Sequence, residues 1–222
     1  MVDIFDEVDE ELRAERAQQL LKKYGGVIVA AAVAIVGAAA GWQAWRWYEA
    51  RQDQAAAVQF LTAANLAEAT AAGSSSAAGR TAGIAAFAQL AAAGPQGYAT
   101  LSRLREAALK ADAGDLAGAA ALWDAVAGDS SADPLLRDLA SLLWAQHMMD
   151  TGDPALIEAR LKALAGPGKP WRALADEQLA LLDLRQGRTD QAKTTLRRLT
   201  QDASAPNGVR GRAAALLSRL GG

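Results

Sequence analysis

Few residues in this sequence could do covalent or acid–base chemistry. The chain of 222 residues has no cysteine and a single histidine, His147. That removes the thiolate nucleophile, the Cys-ligated zinc and the paired-histidine metal site. His147 stands between Gln146 and Met148 on a helical stretch, the setting of a packing or surface residue. Asp115 and Asp153 each follow a glycine and precede an apolar run, where a carboxylate caps the first turn of a helix. Arg185, Arg188, Arg197 and Arg198 make a modest basic patch. The formal charge of −2 nevertheless withholds the basic footprint of a nucleic-acid binder. No glycine-rich phosphate loop, Ser/His/Asp set or carboxylate dyad has the spacing its chemistry needs. The sequence nominates no catalytic residue, cofactor or metal ligand, and reads as a binding or structural protein rather than an enzyme.

The elements that would position a binding surface are helices. Of the residues, 51% are hydrophobic but only 5% aromatic, and 56 are alanine. Alanine has the lowest cost of entering a helix and is depleted in strands. The expected fold is all-α. Three regions separate by composition. Residues 1–23 carry seven Asp/Glu and four Lys/Arg, residues 24–45 carry no charge, and residues 46–222 carry nearly equal numbers of both signs.

The uncharged stretch is expected to be a transmembrane helix. At about 1.5 Å per residue it reaches roughly 33 Å, against roughly 30 Å of bilayer hydrocarbon. Tyr24 marks one end and Trp42, Trp45, Trp47 and Tyr48 the other, as expected of rings that prefer the membrane interface. Four Lys/Arg precede the span closely and only Arg46 and Arg51 follow it, which keeps the N-terminus cytoplasmic. Ala38-Ala39-Ala40 resembles a signal-peptide cleavage site, but the long, net acidic segment before the span is unlike a short positive n-region. An uncleaved anchor is the reading. Gly37 and Gly41 form a small-xxx-small pair where another membrane helix could pack closely. Residues 1–23 read as a cytoplasmic acidic amphipathic helix with Ile4, Phe5, Val8 and Leu12 on one side. It is either a protein contact or a solvated tail.

Beyond the span the sequence repeats itself. Ala113-Gly114-Asp115, Thr151-Gly152-Asp153 and Gln186-Gly187-Arg188 align, with the glycines 38 and 35 residues apart. Seven residues before each glycine is an alanine (Ala107, Ala145, Ala180), and thirteen before is a leucine (Leu101, Leu139, Leu174). Five after are Ala119, Ile157 and Ala192, nine after are Trp123, Leu161 and Leu196, and twelve after are Val126, Leu164 and Leu199. The pattern is that of antiparallel helix pairs. Glycine turns the chain, the small residue admits a close neighbour, and the large residues seal one pair against the next. Pro134, Pro167, Pro170 and Pro206 stand at the exits, where a following helix begins. A membrane-proximal pair, broken at Gly73-Ser74-Ser75-Ser76, is expected over residues 46–96 as a capping unit. The repeats and a C-terminal capping helix fill 97–222.

This spacing resembles the tetratricopeptide repeat family over most of the exported part, in a degenerate form: Lys110, Met148 and Asp183 replace the aromatic expected late in the first helix. The opening Ile4-Phe5-Asp6-Glu7-Val8-Asp9-Glu10-Glu11-Leu12, leading to Leu21-Lys22-Lys23-Tyr24-Gly25 and one span, also resembles the YfgM-like proteins of Gram-negative bacteria, ancillary subunits of the Sec translocon. That resemblance implies an inner-membrane protein with a periplasmic repeat domain and no catalytic site. It also implies association with the Sec translocon and with a membrane-anchored prolyl-isomerase-like chaperone, in the service of exported polypeptides. A scaffold coordinating division or cell-wall synthesis proteins is the alternative function.

In a stack of helix pairs the first helix of each pair lines the concave face. On the register above, the expected protein-binding positions are Leu104, Arg105 and Ala108 in the first unit. Leu142, Leu143, Gln146 and Met149 follow in the second, and Glu177, Gln178 and Leu181 in the third. Each leucine among them has core packing as its alternative role. The lining is largely apolar and lacks the basic cluster that clamps a C-terminal carboxylate.

Overall fold

The structure, a computed structural model, describes residues 4–68 and 77–221. Among the described residues it is entirely helical, as expected: α1 (Ile4–Glu68), α2 (Ala77–Ala93), α3 (Gln96–Asp112), α4 (Leu116–Gly128), α5 (Pro134–His147), α6 (Pro154–Leu164), α7 (Arg172–Arg185), α8 (Thr189–Gln201) and α9 (Asn207–Arg219). The expected break at Gly73-Ser74-Ser75-Ser76 lies outside the described residues. The chain divides into two compact units, Met1–Gln52 and Asp53–Gly222.

In the first unit a single helix runs through both the acidic segment and the uncharged stretch. Nothing between them stops it: Gly25-Gly26 carries neither a proline nor a left-handed turn. The expected face of Ile4, Phe5, Val8 and Leu12 lies outside the described side chains. From Lys22 the helix is long and apolar enough to cross a membrane, and its most apolar window, with mean hydropathy 2.0, has no buried residue. Val27, Val33, Ile35 and Val36 all stand about two-thirds exposed. A helix satisfies its backbone groups internally, which is the condition for entering hydrocarbon.

The second unit begins with the last turns of α1, whose Ala56, Ala63 and Ala67 are buried. Phe60 there meets Phe87 of α2 edge-on, with centroids 5.2 Å apart, and Tyr98 of α3 at 6.2 Å. From α2 to α9 each helix packs on its successor. In addition α3, α5, α7 and α9 touch one another in series, whereas among the described residues α4, α6 and α8 make no such contacts with each other. The first helices of the pairs thus form a continuous inner wall, and the second helices splay outward from it.

The register read from the sequence carries this packing. Ala107, Ala145 and Ala180 are fully buried, as are the residues five, nine and twelve after the glycines, with Trp123 the largest of them. Asp115 and Asp153 are N-caps, accepting from the backbone N–H groups of Gly118 and Ala155. Asp133 does the same for α5, before Pro134 at its first turn. The three turn glycines act by two different mechanisms. Gly114 and Gly187 have φ of 89° and 75°, and the next N–H in each turn bonds back five residues, Asp115 to Lys110 and Arg188 to Asp183, both at 2.8 Å. This is the glycine-dependent helix ending that needs a left-handed residue. Gly152 has no positive φ; a Cβ there would come within 2.9 Å of the Met148 carbonyl oxygen and 3.2 Å of Ile157 Cδ1. Close approach, not handedness, selects it.

Replacing Gly187 with alanine should cost about 1 kcal/mol and lower the melting temperature by roughly 3 °C, whereas Gly187→Asn should lose less because asparagine tolerates the left-handed region. Thermal unfolding of the full chain, followed by circular dichroism, reads both.

Candidate functional site

Among the described residues the inner wall carries an apolar groove. It lies between the C-terminal half of α5, the length of α7 and α9, and encloses about 670 Å³. Its apolar surface comes from Leu174 and Leu181 of α7 with Ala215 and Leu216 of α9. Gln146 and Gln178 bring amides that can both donate and accept, and Arg219 stands at the α9 side. Glu177 and Arg212 join α7 to α9 across it.

Of the positions expected to bind protein, four come together here: Gln146, Glu177, Gln178 and Leu181. Leu104 and Leu142 are buried in the main core, their alternative role, and Leu143 and Met149 are half-buried against the same core. Ala108 is half-buried and Arg105 exposed, Arg105 lying 3.8 Å from Glu68. The groove residues on α9 were not expected, because α9 read as a cap. A signal existed: Gln146, Leu181 and Ala215 follow each other at 35 and 34 residues, so the repeat period continues one helix further. Leu174, a repeat position in the sequence, packs against both cores and also lines the groove.

Electrostatics fix the groove's walls. Glu177 takes two hydrogen bonds of 2.6 Å from Arg212, Nε to Oε1 and Nη2 to Oε2. The carboxylate side chain is 4% exposed and the guanidinium 56%, so the acid is enclosed while its partner keeps water. The bond to Glu177 raises the affinity of Arg212 for its proton. The neighbouring Asp176 points to the other layer and accepts from Arg198 of α8 at 2.8 Å. Burial pushes its carboxyl above the ordinary range, opposed by Arg198 and Arg172. Arg172 in turn donates to Asp202 at 2.5 Å and to the Ser204 hydroxyl at 2.9 Å. The Ser204 hydroxyl and backbone N–H hold Asp202 down to about 2, with Arg172 adding to the effect. Arg185 donates to the Met149 and Asp150 carbonyls, closing the end of α5.

The remaining candidates are structural. His147 stacks on the buried Trp123 ring at 4.7 Å. Arg160 lies 3.8 Å over Trp144 and pairs with Asp124. Trp171 is half-buried and donates through Nε1 to the Leu135 carbonyl at 3.1 Å. The members of the expected basic patch are mostly engaged: Arg188 bridges Asp183 and Glu158, Arg198 holds Asp176, Arg185 holds the carbonyls after α5, and Arg197 is exposed. A second, polar hollow of about 420 Å³ lies beside α6, α7 and α8, and its cations Lys162, Arg188 and Arg198 are all paired. Among the described residues no group of three or more His, Asp or Glu could hold a metal ion. In the first unit, a Cβ at Gly37 or Gly41 would meet nothing within 4 Å.

A family model for a tetratricopeptide repeat-like domain matches residues 18–141, more than half of the chain. The match takes in the apolar stretch and the helices as far as α5; the repeats beyond it stand on the glycine register and the packing. No curated protein and no solved structure matches.

Removing Arg212 should harm the fold more than removing Glu177. Arg212→Met leaves an enclosed carboxylate without its partner, costing about 2 kcal/mol near neutral pH. Glu177→Gln leaves a guanidinium still in water and should cost less. The contribution of Asp202 depends on pH. Its folded value lies below the ordinary carboxylate value, so its stabilisation is complete above about pH 4. That stabilisation fades as the pH falls towards 2. Asp202→Asn should therefore lower the melting temperature at pH 6 and make little difference near pH 2. Denaturation curves of the variants across pH 2–7 test both statements.

Proposed function

Since the chain belongs to the tetratricopeptide repeat-like domain family, we propose that it is a membrane-anchored adaptor that binds other proteins through its inner groove. The groove between α5, α7 and α9 carries this reading. Its leucines are half-buried rather than enclosed, and the amides beside them suit a polypeptide backbone. Burial of the apolar walls, at roughly 25 cal/mol per Å², supplies the attraction, reduced by the ordering of the bound segment.

The apolar part of α1 is the anchor in this reading, over residues 24–45, with lipid as the partner of its exposed valines and isoleucines. The lysine and arginine bias favours a cytoplasmic position for residues 1–23, and the resemblance to the YfgM-like proteins favours a bacterial inner membrane with residues 46–222 in the periplasm. Residues 46–96 act as the membrane-proximal capping unit for the repeats over 97–222. The opening sequence and its resemblance to the YfgM-like proteins favour a finer assignment: an ancillary subunit of the Sec translocon, working beside a membrane-anchored prolyl-isomerase-like chaperone on exported polypeptides. Gly37 and Gly41, where an added Cβ would meet nothing within 4 Å among the described residues, suit the approach of a partner's membrane helix. Anchoring raises the local concentration of the groove near such partners.

The deciding experiment joins topology to partnership. Protease added to spheroplasts should digest the repeat domain while sparing residues 1–23. Purification in mild detergent should recover translocon components with the wild-type chain, and far less with Leu181→Glu or with Gly37→Leu/Gly41→Leu. A protected repeat domain would overturn the topology. Undiminished recovery with Leu181→Glu would overturn the role of the groove.

A further inference from the structure

The groove's charges are unequal, and this points to the chemistry of what it holds. Among the described residues Glu177 is the only acid on its lining, and both carboxylate oxygens are satisfied by Arg212. That pair is neutral. Arg219, seven residues further along α9, lies two turns on along the same face. It is exposed, and among the described residues it has no ion-pair partner. Arg185, one repeat period earlier at the end of α7, binds backbone carbonyls rather than an acid, so its charge is also uncompensated. The C-terminal dipoles of α7 and α9 subtract part of this positive potential. Arg185 is already turned onto the carbonyls of α5. Arg219 is left as the cation facing the groove with room for an anion, at the end of an apolar strip formed by Leu174, Leu181 and Leu216.

We propose that the groove binds an acidic–apolar segment of a partner polypeptide, with leucine-class side chains against Leu174, Leu181 and Leu216 and a carboxylate side chain against Arg219. The proposal rests on the reading of the groove as a polypeptide site and adds the chemistry of the occupant. The volume of about 670 Å³ lies in the range of sites that enclose a small ligand; it holds a few side chains, not a folded surface. The amides of Gln146 and Gln178 serve the segment's main chain, since each offers a donor and an acceptor. A basic segment of the same apolar pattern would meet Arg219 with like charge and no acid to offset it. The chain's overall charge of −2 does not set this preference; local potentials in a cleft do.

The test uses the full chain in lipid nanodiscs and three labelled 15-residue peptides. These share one leucine pattern and differ only in having Glu, Gln or Lys at the charged positions. Fluorescence anisotropy should rank them Glu, Gln, Lys. About tenfold should separate the first from the last at low salt, since one exposed attraction and one exposed repulsion are each a several-fold effect. The separation should narrow in high salt. Arg219→Glu should reverse the order, and Leu181→Glu should weaken all three peptides. Equal binding of the three peptides, still lost in Leu181→Glu, would overturn the proposal while leaving the groove a polypeptide site. An order unchanged in Arg219→Glu would also overturn it. Binding of none, or binding indifferent to Leu181→Glu, would overturn the reading of the groove as well. Arg219 is exposed, and circular dichroism should show the variant as helical as the parent.

Discussion

The close approach of paired helices at Ala107, Ala145 and Ala180 governs everything else in the second unit. A hairpin of two short helices has too little interior to bury its own apolar faces, so it must lend one face to its neighbour. Buried alanines bring the two helices of each pair together without a side chain between them. The larger residues of the second helix, Trp123, Leu161 and Leu196, are then left to fill the space against the following pair. Where a tighter turn is needed, the chain uses glycine, for handedness at Gly114 and Gly187 and for clearance at Gly152. The inner wall of α3, α5, α7 and α9, and with it the groove, follows from repeating that contact.

Much of this was legible in the sequence because small residues and turn glycines have few alternative uses. An alanine seven positions before a glycine, three times over, has a steric meaning that survives degeneracy elsewhere. The lining of the wall was harder to read. Leu104 and Leu142 entered the core, whereas Leu174, in the series with Leu101 and Leu139, lines the groove. Positions three residues apart differ by about 60° around a helix, and a first helix in a stack is covered on three sides. Periodicity distinguishes buried from exposed, but it does not say which neighbour does the burying. The role of α9 was missed for a related reason: Gly221 continues the glycine register 34 residues after Gly187, with φ 70°, but Gly208 stands where the other units have a leucine thirteen residues before the glycine.

Charge does a different job from apolar packing here. Asp176 and Glu177 are adjacent on α7, both nearly enclosed, and their side chains leave the helix about 100° apart. One holds Arg198 of α8 and the other Arg212 of α9. Enclosed carboxylates are costly without a partner, so each tie has little tolerance for displacement. Together with Arg172 and Asp202 they set where α8 and α9 stand, whereas the leucines set only that they are close. Several of the ties join residues 35 or 36 apart, such as Trp171 to Leu135 and Arg160 to Asp124. Corresponding points of successive units are thus tied directly.

A stack tied only between neighbours comes apart from its ends. Among the described residues α9 touches α7 and α8 alone, so it closes one end of the described stack, and it is also one wall of the groove. Whatever lies across that groove spans the seam between α7 and α9 and acts as a clasp, holding that end shut.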